Sequence, residues 1–92
     1  MEKLWKQKDK ELFEKIWEER PHVDYETGEV LYGEPLKSYF HHVLEKEMYP
    51  LFRWEEWNIV LVSVETHSQC HTNLDFCPKI KQLREKLIKE KL

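Results

Sequence analysis

The sequence predicts a small mixed α+β domain, and three features carry that prediction. Both ends read as amphipathic helices, at about residues 3–19 and 78–91, and between them lies the run Ile59-Val60-Leu61-Val62-Ser63-Val64. That run is nearly continuous in apolar and β-branched residues, the pattern of a strand buried on both faces. A chain of 92 residues has room for one domain and one modest core, so residues 1–92 form a single unit with its centre at about 20–75.

In the first helix, Leu4, Trp5, Leu12, Phe13, Ile16 and Trp17 stand among charged residues, and the i,i+4 pairs Leu12/Ile16 and Phe13/Trp17 mark one apolar face. Pro21 stops it, because proline disfavours helical geometry at the residue before it. Next, Thr27-Gly28 interrupts two β-prone pieces within residues 23–31, as a hairpin or tight knuckle would, and Gly33-Glu34-Pro35 is a second turn. Ser38 to Leu44 is aromatic and β-branched enough for a strand. Glu45 to Glu56 has no clean period and reads as a functional loop. After the Ile59 to Val64 strand, a helix is expected from about Glu65. Pro78 suits the first position of the last helix, whose Ile80, Leu83, Leu87 and Leu92 fall near one stripe.

The hydrophobic fraction of 40% and aromatic fraction of 13% lie well above what disordered chains carry, so the protein is expected to fold. No apolar run reaches membrane-spanning length and the first ten residues lack the apolar stretch of a secretory signal, which makes the cytoplasm the expected compartment. Cys70 and Cys77 are too few and too close for a secreted disulfide framework, and reduced thiols are expected. The net charge of −3 opposes indiscriminate binding to nucleic acid, but charge is unevenly spread. Residues 79–92 carry six basic side chains, Lys79 and Arg84 among them, against two acids; residues 21–78 carry three basic against ten acidic.

Four of the five histidines form two tight pairs, His41-His42 and His67-Ser-Gln-Cys-His71. His67 and His71 at i,i+4 share one helical face and can converge on one cation, whereas adjacent residues on a strand point to opposite sides. Taken alone, the first arrangement is more often two surface histidines and the second a half-buried strand pair satisfied by backbone groups. Asn58 alone would be a turn residue. Their order is the informative feature: a strand with His-His, a loop, Trp57-Asn58 before an apolar strand, then a helix opening with His67.

In that order the sequence resembles the HNH nuclease family, and within it the colicin-type enzymes that use His-His first and His-x-x-x-His last. It is also similar to small phage-type HNH proteins in Phe40-His41-His42-Val43-Leu44, Tyr49-Pro50, Phe52-Arg53 and Trp57-Asn58-Ile59-Val60-Leu61-Val62, so the likeness spans roughly Arg20 to His71. The resemblance implies a ββα-metal core with flanking terminal helices and a metal-dependent endonuclease that hydrolyses DNA phosphodiesters. His41, His67 and His71 would hold one divalent ion (magnesium, manganese, nickel or zinc), His42 would be the general base, and Asn58 would hold the loop and base in place. Lys46, Arg53, Lys79 and Arg84 are the candidates for nucleic-acid contact, against the plainer reading of Lys46 and Arg53 as solvated surface charges.

Two departures from the family pattern stand out. Many HNH proteins clamp a structural zinc with two Cys-x-x-Cys pairs; here those places read Asp24-Tyr-Glu-Thr27 and Ser63-Val-Glu-Thr66, from which a thiolate zinc site cannot form. No structural zinc is expected, with packing of Trp17, Tyr25, Phe40 and Trp57 in its place. Glu45 and Glu47 flank the loop after the base, where like charge opposes a phosphate. The alternative is therefore an inactive HNH-fold binding module contacting a host protein or nucleic acid through its acidic surface. A third reading, a helical module that dimerises through its Trp-rich first helix, leaves the histidine order to chance.

Overall fold

The computed structural model describes the backbone of residues 2–92 and the side chains of residues 6–92, so Leu4 and Trp5 of the expected apolar face lie outside the described side chains. The protein is a small α+β domain with helices α1 (Glu2–Glu19), α2 (Val64–Thr72) and α3 (Pro78–Lys91) and two strands, β1 (Phe40–His42) and β2 (Ile59–Leu61). The strands pair antiparallel, with Phe40 opposite Leu61, His41 opposite Val60 and His42 opposite Ile59. Among the described residues, no helix is long and apolar enough to cross a membrane.

The period of two along a strand divides the core. Phe40, Ile59 and Leu61 pack with Ile16 and Leu31 beneath α1, where Phe13 stacks on Phe40 at 4.3 Å between ring centroids. On the opposite face Val43, Val60 and Val62 pack with Cys70, Cys77, Ile80 and Leu87 of the α2–α3 side. The expectation that the Ile59 strand is buried on both faces holds, since residues 58 to 63 are all buried.

Both strands are shorter than expected. Lys37–Tyr39 forms a helical turn ahead of β1, and Val64 belongs to α2, because the Ser63 side chain caps that helix by accepting from the Thr66 N–H at 3.1 Å. Single backbone bonds extend the pairing at each end, Val43 N–H to Asn58 O and Val62 N–H to Tyr39 O, both at 2.8 Å. In α3, Ile80 and Leu87 are buried as expected, but Leu92 is 68% exposed and Ile88 packs on the core instead. Leu92 lies one residue beyond α3, which ends at Lys91, and stays exposed there.

The knuckle is held by a carboxylate. Val23 and Val30 bridge, and Gly28 takes a φ of +78° that suits glycine at the turn. Asp24, only 1% exposed, accepts from the backbone N–H groups of Glu26 (2.7 Å), Thr27 (3.0 Å) and Ser63 (2.8 Å). Its neighbour Glu26 accepts from Lys79 N–H and Ile80 N–H at 3.1 Å each, satisfying the first turn of α3, where helix N-termini favour negative charge. The expected aromatic substitute for a zinc clamp is not what ties these segments: Trp17 of α1 packs with Phe40 on the α1 side of the sheet, Trp57 packs on the other core, and Tyr25 is exposed. Two acids bind the knuckle to the starts of α2 and α3, because a carboxylate can accept several backbone donors at once.

Candidate metal centre

His41 is on the β1 face that looks toward α2, and α2 presents His67 and His71 one turn apart. The three side chains converge, offering ring nitrogens that all lie within 4.8 Å of one another. His67 Nε2 and His71 Nε2 are 3.1 Å apart, near the ~3.4 Å expected between two imidazole ligands of a tetrahedral ion at 2.0–2.1 Å. His41 Nδ1 is buried with no hydrogen-bond partner among the described residues, an orphaned polar atom of the kind that a native interior normally satisfies. Burial, followed by the nearby His67, His71 and His42 rings, pushes the His41 pKa down to about 3, and burial likewise lowers that of His67. Neutral imidazole is the form that ligates a metal.

His42 faces the other way, toward α1, with its ring 6.2 Å from that of Phe13. Its Nε2 lies 3.0 Å from the backbone carbonyl of Arg53, and burial lowers its pKa while that carbonyl partly opposes the shift. Both strand neighbours nonetheless line one cleft of about 550 Å³, together with His67, His71, Lys46 and Arg84. β1 ends at His42, and Val43 and Glu45, just past that end, line the same cleft.

Asn58 is fully buried and does not line the cleft. Its Oδ1 accepts from Leu44 N–H at 2.7 Å, and its Nδ2 donates to Leu44 O at 3.0 Å and Phe52 O at 3.1 Å. Those bonds fasten both ends of the 45–56 loop, so Asn58 positions the segment that bears the Arg53 carbonyl. Arg53 itself does not line the cleft; it donates to Asp9 of α1 from Nε (3.1 Å) and Nη2 (2.6 Å), and Trp54 Nε1 donates to the same carboxylate at 2.9 Å. Burial raises the Asp9 pKa, but these donors outweigh it and hold the carboxyl below its usual range.

Asp9 was not singled out from the sequence, yet it sits on the apolar stripe of α1 with Leu12, Phe13 and Ile16, and an acid in such a stripe is the available signal. Asp9→Ala is expected to cost about 2 kcal/mol, because it removes the carboxylate that accepts two hydrogen bonds from a half-buried guanidinium. It should also speed amide hydrogen exchange at Phe52 to Trp54. Unchanged exchange there would show that Asn58 alone holds the loop.

Of the expected nucleic-acid contacts, Lys46 and Arg84 border the cleft and Lys79 does not. Arg84 is paired with Glu45 at 3.2 Å, so one of the two loop acids is neutralised while Glu47 stays exposed. Cys70 and Cys77 are free, buried thiols with their Sγ atoms 2.7 Å apart, and burial together with the Cys77 contact raises the Cys70 pKa. The fifth histidine, His22, is away from the site, stacked on Trp17 at 3.5 Å.

No family model, curated protein or solved structure matches the chain. What the site can do is therefore read from its own geometry.

Proposed function

We propose that the protein is a metal-dependent endonuclease of the HNH type, in which β1, β2 and α2 act as a ββα-metal unit. The observation that carries this reading is the division of labour around one cleft: three imidazoles converge on a common point while a fourth, His42, stands apart with a carbonyl partner. A purely structural histidine cluster has no need of that separation.

In this reading His41, His67 and His71 hold one divalent ion. Three imidazoles without a carboxylate suit zinc or nickel better than magnesium. When bound, the ion supplies Lewis acidity toward a phosphodiester. The chain's own contribution is the base. A carbonyl can only accept, so in the neutral ring Nε2 of His42 carries the proton that bonds Arg53 O, which leaves the Nδ1 lone pair to take a proton from water. Asn58 and Asp9 keep that carbonyl in place, from below the loop and from α1.

A second reading, a non-catalytic binding module, is favoured by Glu45 and Glu47 in the cleft lining. One experiment separates the two. Metal-stripped protein is titrated with zinc, nickel, manganese and magnesium by calorimetry and assayed on supercoiled plasmid with and without chelator. The nuclease reading expects one ion per chain, chelator-sensitive nicking, and weakened metal binding in His67→Ala and His71→Ala that excess metal partly rescues. Tight metal binding with no nicking under any ion would favour the binding module.

A further inference from the structure

The cleft does not end at the histidines. A second groove of about 350 Å³ runs on from it between α1 and residues 35–40, and the two share Asp9, Phe13, Lys37 and Phe40 in their linings. Lys6 and Lys10, one turn apart on α1, line this groove together with Lys37.

None of these three lysines takes part in an ion pair among the described residues. Of the two acids in the groove lining, Asp9 is already taken by Arg53, which leaves three ammonium groups against Glu14. Lys46 continues the series into the cleft, close enough to influence both Asp9 and His42. In a chain whose net charge is −3, this is a local reversal of sign that leads to the candidate metal centre.

The basic tail contrasts with it. Lys81 pairs with Asp75, Arg84 with Glu45 and Lys86 with Glu90, while Lys91 lies over the Trp57 ring. Only Arg84 of that helix borders the cleft. Acids outside the tail, Asp75 and Glu45, thus offset two of its four excess charges, and apart from Arg84 the rest does not border the cleft.

We infer that the groove between α1 and residues 35–40 is the track along which the phosphodiester backbone of a polynucleotide leaves the metal cleft, with Lys6, Lys10 and Lys37 as its phosphate contacts. Aliphatic and aromatic surface from Pro35 and the partly exposed Phe13 gives sugars and bases an apolar wall beside those cations. The inference rests on the nuclease reading only for the identity of the anion; the position of the cations is independent of it.

The test measures binding of a fluorescein-labelled DNA oligonucleotide by anisotropy, in chelator so that nothing is cleaved, over a range of salt. The chains compared are the parent, Lys6→Glu/Lys10→Glu/Lys37→Glu, and a tail variant, Lys79→Glu/Lys89→Glu; matching glutamine variants and thermal melts control for folding. The groove variant is expected to bind about tenfold or more weakly and to lose roughly two to three units of salt slope, since each phosphate contact contributes about 0.9. The tail variant should bind like the parent. Equal affinity of groove variant and parent, or an equal loss in the tail variant, overturns the inference. So does competition by poly-glutamate as effective as that by DNA, which would assign the groove to an acidic polypeptide. A parent that nicks plasmid as fast as the groove variant does removes the track and keeps the nuclease. A parent that binds DNA through the groove but fails to cleave it with any of the four metal ions removes the nuclease and keeps the track.

Discussion

Replacing His42 by alanine is expected to abolish phosphodiester cleavage while leaving metal affinity close to that of the parent. The reason lies in the strand: His41 and His42 are neighbours whose side chains must diverge, and only His41 joins the group that can hold an ion. A positioned general base contributes about a hundred- to ten-thousand-fold in rate, which a plasmid-nicking assay resolves easily. His41→Ala should do the opposite, losing metal first and activity as a consequence. Asn58→Ala should fall between, since it removes three bonds that anchor the loop carrying the Arg53 carbonyl but leaves both histidines present. If His42→Ala cleaves like the parent at saturating metal, His42 is not the base and the cleft must be read differently.

Asp24→Ala is expected to give the largest loss of stability of any single substitution considered. The change strands three backbone N–H groups, those of Glu26, Thr27 and Ser63, beside a buried methyl, and hydrogen bonds to a charged acceptor are worth more than neutral ones. A cost of ~3 kcal/mol is the expectation, and for a domain of this size that is a fall in melting temperature of roughly 10–20 °C. The same carboxylate makes stability pH-dependent. Burial raises its pKa, but the hydrogen bonds from Thr66, Ser63, Thr27 and Glu26 outweigh that and hold it below the ordinary aspartate value of 3.8. A folded pKa below the unfolded one contributes stability that is complete above about pH 3.8 and is lost as pH falls through the folded value. Acid melts of the parent should therefore show an extra loss below that point, and Asp24→Ala should lack it; parallel acid curves would place the acid sensitivity elsewhere.

The spacing of the histidines was legible in the sequence because it needs only local geometry. An i,i+4 pair shares a helical face and a strand dipeptide splits between two faces, whatever surrounds them. The both-sided burial of Ile59 to Leu61 and the start of α3 at Pro78 were legible for the same reason, since apolar runs and proline act on their own segment. The strand limits were less so. Val64 has a strong strand propensity, yet Ser63 caps a helix there, and such a contest is settled by one side-chain bond.

Asp24 was read only as the absence of a thiolate, and Glu26 and Asp9 were not singled out, because the partners that tie them to other elements are distant in the chain. Those partners are 39, 53 and 44 residues away, at Ser63, Lys79 and Arg53. Charge counting along the chain likewise gave residues 79–92 a basic excess, but it could not show that Lys81 and Arg84 meet Asp75 and Glu45 while Lys6, Lys10 and Lys37 have no ion-pair partner among the described residues. The sequence by itself determined which side chains could act as ligands and base, since residue type and short-range periodicity are local properties. Only the tertiary structure decided that one cleft receives all four histidines, which carboxylates tie the surrounding segments together, and where positive charge meets it, because each of those depends on contacts between segments that the linear order keeps apart.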